Sequence, residues 1–78
     1  MELQEIRKLI KKRLENEVGG VIFCADWQDN RIAWEESSLS TMYHTDFAKF
    51  DEIITKVCEG TGYFIELINS CEGEIHKE

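Results

Sequence analysis

Seventy-eight residues leave room for one domain, and a chain this short buries only about 60 % of the surface its unfolded form exposes, so its core is thin. A hydrophobic share of 42 % argues against disorder. The formal charge of −7, from 9 basic and 16 acidic residues, disfavours direct contact with nucleic acid or anionic lipid and favours contact with basic proteins.

The first predicted element is a helix over about residues 2–17. Leu3, Ile6, Leu9, Ile10 and Leu14 recur at helical spacing on one side, with Arg7, Lys8, Lys11 and Lys12 on the opposite side. Glu2 and Glu5 sit where the helix dipole favours negative charge. Gly19-Gly20 supplies the stop.

A hairpin follows. Residues 21–27 alternate, and Asp29-Asn30 suits a two-residue turn. Pairing about that turn places Val21, Phe23, Ala25, Trp27, Ile32 and Trp34 on one face, and Ile22, Cys24, Asp26, Ala33 and Glu35 on the other. A third strand is predicted over Leu39 to His44, with Leu39, Thr41 and Tyr43 turned to the core if Ser37-Ser38 form the turn.

Thr45 or Asp46 caps a second helix, whose buried stripe is Phe47, Phe50, Ile54, Val57 and Cys58 and whose stop is Gly60. A last strand, about Tyr63 to Ile68, is apolar on both faces, as a central or partner-covered strand would be. The polar tail from Asn69 is read either as a small hairpin around Glu72-Gly73 or as a frayed end. The fold class expected is therefore α+β: helix, three antiparallel strands, helix, strand. Both helices would cover the tryptophan-bearing face of a four-stranded sheet in a single domain spanning 1–78.

No catalytic constellation stands out. Cys24, Cys58 and Cys71 form no close pair and do not lie beside His44 or His76 in the chain, so neither a thiolate nucleophile nor a disulfide framework is indicated. Cys71 and His76 lack the second close pair that a structural zinc site uses. Acidic pairs such as Glu35-Glu36 and Asp51-Glu52 follow from composition alone, and the glycines at 19–20 and 60–62 lack the phosphate-loop spacing. No enzyme, cofactor or metal is expected. The odd cysteine count points to a reducing cytoplasm, and no run of about 18 apolar residues is present to cross a membrane.

Charge is unevenly spread. Residues 1–18 balance to +1 and residues 19–78 to −8. The basic side of the first helix has a plain reading as a solvated face with pairs such as Lys11 and Glu15 at i,i+4. The more specific feature is the open sheet face. Asp26, Asp29, Glu35, Glu36 and Glu66 would rim an apolar centre that includes Ile22, Phe64 and Ile68, the form of a binding patch for a basic protein.

Helix-strand-strand-strand-helix is also the order of a double-stranded RNA-binding domain, but the lysine-rich start of that family's last helix is replaced here by Asp46-Phe47-Ala48-Lys49-Phe50-Asp51. In size, charge and element order the chain resembles the small acidic inhibitors encoded by phages and mobile elements, anti-CRISPR proteins among them. That resemblance implies a non-catalytic inhibitor whose carboxylates occupy the nucleic-acid site of a basic, nucleic-acid-handling partner, a CRISPR effector being one such partner. The alternative expectation is a structural or regulatory module, acting as a small homodimer or as a subunit of a larger assembly.

Overall fold

The computed structural model describes residues 2–19, 30–34 and 37–78. Within them the order is α1 (Leu3–Val18), β1 (Arg31–Ala33), α2 (Ser38–Thr45), α3 (Phe47–Cys58), β2 (Tyr63–Leu67) and β3 (Glu72–Lys77). The class is α+β, with three helices and a three-stranded antiparallel sheet in the order β1-β3-β2 among the described residues. The strand expected over residues 21–27, and with it Trp27, lies outside the described residues.

The helix α1 follows the apolar periodicity that predicts it. Ile6, Ile10 and Leu14 are buried, Leu3 and Val18 pack at the margin, and Gly19 ends the helix at φ 63°, a left-handed value that glycine adopts without a Cβ clash. Lys11 and Glu15 form the i,i+4 pair at 3.7 Å. Arg7 departs from its expected place on the wet side: it is buried, with Nη1 donating to Gln4 Oε1 at 3.1 Å.

Residues 38–45 are a helix, not the third strand of the sequence reading. The cause is local. Ser37 Oγ accepts from the Leu39 backbone N–H at 3.2 Å and donates to the Trp34 carbonyl at 2.7 Å, which caps the first turn. Leu39, Met42 and Tyr43 then stand at i, i+3 and i+4, Leu39 fully buried and the other two packed against the core.

Asp46 separates the two helices and caps α3 through Oδ1, which accepts from Lys49 N–H at 3.3 Å. The α3 stripe gains Ile53 and loses Phe47, which is 48 % exposed and lies edge-on to Tyr43 with centroids 5.3 Å apart. Arg13 of α1 reaches across to the C-terminal end of α3, donating to the carbonyls of Val57 at 3.1 Å and Glu59 at 2.9 Å. Those carbonyls would otherwise lack a helical partner.

The polar tail is β3, and among the described strands it is the middle one. It neither frays nor stops at a small hairpin around Glu72-Gly73. Asn69 Oδ1 accepts from the Cys71 N–H at 2.8 Å and the Glu72 N–H at 3.1 Å, an Asx turn that reverses the chain from β2 into β3. β3 then pairs with β2 on one side and β1 on the other. Residues 63–67, expected to be a central or partner-covered strand, are not central among the described strands and pair there with β3 alone.

One face of this sheet meets the helices. Ile32, Ile75 and the side chain of Trp34 are buried there, with Ile65 and Leu67 at the margin. Trp34 is 0 % exposed, lies 5.9 Å from the Phe50 ring, and donates its indole N–H to the Ser70 carbonyl at 2.8 Å. The inward placing of Ile32 and Trp34 agrees with the sequence register. Gly73 makes room for this arrangement: a Cβ there would stand 2.6 Å from Ile65 Cγ2, 2.9 Å from the Glu66 carbonyl and 3.3 Å from Trp34 Cη2.

Candidate functional site

Strand alternation sends every second residue to the face away from the helices. The register pairs Phe64 with His76, Glu66 with Glu74, Arg31 with Glu74 and Ala33 with Glu72. Arg31, Ala33, Phe64, Glu66, Glu72, Glu74 and His76 therefore share the outer face.

Of the residues expected to form a binding patch, Phe64, Glu66 and Ile68 are described, and all three are exposed. Phe64 and Ile68 each keep 42 % of their surface, and the Glu66 side chain keeps 64 %. Ile22, Asp26, Asp29, Glu35 and Glu36 lie outside the described residues. The layout among the described residues reverses the expected one. Charge runs through the middle on β3, and Phe64 and Ile68 stand at the side, on and just beyond β2. The tail read as frayed supplies that central charge.

The central groups are tied together. Arg31 Nη1 donates to Glu72 Oε2 at 3.2 Å, and its Nε lies 3.7 Å from Glu74 Oε2. Glu72 Oε1 accepts from Asn69 Nδ2 at 3.1 Å, so this carboxylate is held at both oxygens. His76 Nε2 stands between two further carboxylates, 3.3 Å from Glu66 Oε2 and 3.4 Å from Glu74 Oε1. The Phe64 ring lies 5.9 Å from the imidazole at an interplanar angle of 36°. Three carboxylates against one guanidinium leave the face acidic, on a backbone held by strand pairing.

Glu72, Glu74, His76 and Arg31 were not among the residues expected to form the binding patch, and His76 was weighed only beside the cysteines. The available signal was the alternation Glu72-x-Glu74-x-His76, which puts all three on one side of any strand. It carries little weight without knowledge that residues 72–77 form a strand.

The described thiols, Cys58 and Cys71, and the remaining histidine lie elsewhere. Burial pushes the Cys58 thiol up from the ordinary 9.0 to about 11, so it stays protonated at neutral pH. Cys71 and His44, far apart in sequence, line one shallow groove with Ser40, Thr41, Thr45 and Ser70. The neighbour of Cys71 Sγ is Ser70 Oγ at 3.6 Å. No helix among the described residues is long and apolar enough to cross a membrane. Comparison with protein-family models, with curated proteins and with solved structures gives no match.

Proposed function

We propose that the chain is a small acidic protein-binding module that uses the outer sheet face against a basic partner, and that it inhibits that partner by occupying its nucleic-acid-binding surface. The observation that carries this reading is the set Glu66, Glu72 and Glu74, held on adjacent paired strands beside exposed Phe64 and Ile68 in a chain of charge −7. Carboxylates fixed in this way steer a positively charged surface towards the face, and the apolar groups at its side supply area that loses water on contact. The likeness in size and charge to small acidic inhibitors of phages and mobile elements supports the inhibitory form. Element order supports it less, because the third expected strand is a helix.

The test compares the wild-type chain with a Glu66→Lys/Glu74→Lys double variant in binding to a basic protein captured from the native host. The reading requires that nucleic acid compete for the captured protein, that added salt weaken binding, and that the double variant lose it. Binding that survives both the double variant and high salt overturns the reading.

A second reading has its own observation. β2 pairs with β3 alone among the described strands and carries Phe64, with Ile68 just beyond it. An edge unpaired among the described residues, with apolar neighbours, is where a second copy can add a strand. On that reading the chain is a small homodimer or assembly subunit, and Phe64→Lys or Ile68→Lys shifts its size-exclusion elution to the monomer position without any dependence on salt.

A further inference from the structure

We propose that Glu66, Glu74 and His76 form a three-ligand binding site for a divalent transition-metal ion of the zinc type on the outer face of the sheet. The proposal is independent of any protein partner.

The grounds are geometric. One carboxylate oxygen from each glutamate and one imidazole nitrogen lie within 4.8 Å of one another. His76 Nε2 is 3.3 Å from Glu66 Oε2 and 3.4 Å from Glu74 Oε1. Two ligands each about 2.05 Å from a tetrahedral ion stand roughly 3.3 Å apart, so both separations match an edge of a zinc coordination shell. Neither contact is a hydrogen bond: Nε2 is shielded from solvent, yet no acceptor meets hydrogen-bond geometry at it. The nitrogen thus lies within 3.4 Å of two carboxylate oxygens and has no hydrogen-bond partner among the described residues.

Electrostatics point the same way. Glu66 and Glu74 are direct cross-strand partners, and like charges in that position destabilise a sheet. An ion of charge +2 between them cancels both. The surroundings also fit a metal centre. Arg31 Nε lies 3.7 Å from Glu74 Oε2, which leaves Oε1 turned to His76, while Phe64 packs beside the imidazole ring. Groups in those positions orient ligands. An imidazole in the set selects zinc, copper, nickel or iron over magnesium and calcium. Three protein ligands leave a fourth position for water or for a donor from another molecule.

The experiment titrates zinc chloride into the full-length chain by calorimetry while following both histidine rings by NMR. We expect one ion per chain, with the His76 ring resonances shifting and those of His44 unmoved. Glu66→Gln and His76→Gln should each weaken zinc binding by about tenfold or more. Glu66 is exposed near the sheet edge, so Glu66→Gln keeps the test valid should His76→Gln disturb the strand; far-ultraviolet circular dichroism verifies the fold of each. Affinity unchanged in folded Glu66→Gln, a response at His44 or the thiols in place of His76, or no saturable binding overturns the site. Partner capture repeated with a chelator present tests the protein-binding reading alone, so failure of one proposal is distinguishable from failure of the other.

Discussion

The two faces of the sheet are built from the same strands and obey different physics. On the inner face, Ile32, Trp34, Ile65 and Ile75 are fitted around a glycine, and the tolerance is steric: Gly73 has no room for one more carbon. On the outer face, Arg31, Glu66, Glu72, Glu74 and His76 are separated by distances of 3.2–3.7 Å and stay partly exposed, so the tolerance is electrostatic. Close packing punishes any change in volume, whereas exposed charges in water contribute little to stability and are free to serve recognition. Substitutions should therefore separate cleanly by face, the inner ones changing stability and the outer ones changing what the protein binds.

The largest effect is expected at Trp34. Trp34→Ala empties the site beside Phe50 and leaves the Ser70 carbonyl without its indole donor. We expect a loss of roughly 3–5 kcal/mol in urea unfolding, a large part of the stability of so small a domain. A loss below about 1 kcal/mol would remove Trp34 from the centre of the core. Next comes Gly73→Ala. The added Cβ meets backbone as well as side chain, and overpacking of this kind costs about 1–3 kcal/mol.

A smaller, pH-dependent effect sharpens the contrast from the helix side. Cys58 is buried and its thiol is pushed up to about 11 from 9.0. Between these values the unfolded chain releases the thiol proton and the folded chain keeps it, so stability falls as pH rises. Unfolding curves from pH 8 to 11 should therefore show a steeper alkaline loss for the wild type than for Cys58→Ala; parallel slopes would mean that burial does not hold the thiol proton. The smallest effect belongs to the outer face. Glu66→Gln should change stability by no more than about 0.5 kcal/mol. A cost as large as that of Gly73→Ala would break the comparison, since the outer cluster would then hold the fold as firmly as the core does.

Patterning within one element was legible in the sequence. The stripe Ile6, Ile10, Leu14 marked α1, Thr45 or Asp46 marked the start of α3 (Asp46 is the cap), and alternation turned Ile32 and Trp34 inward and Phe64 and Glu66 outward. Residues 38–45 were misread because a short apolar run among serines suits a strand or a helix, and the cap at Ser37 decides between them. The placing of charge on β3 was not legible. Segment 72–77 carries one large apolar residue, Ile75, and has no strong preference of its own. It becomes a strand because β1 and β2 satisfy its backbone on both sides and the Asn69 turn fixes its entry.

The sequence by itself therefore determined the amphipathic helices α1 and α3, the acidic balance and the outward side of β2, since each depends on residues near in the chain. Only the tertiary structure decided that Glu66, Glu74 and His76 meet. Their meeting depends on the β2–β3 register, which is set by the Asn69 turn and the fit of Trp34 and Ile65 over Gly73 and is not written in the local pattern of the ligands themselves.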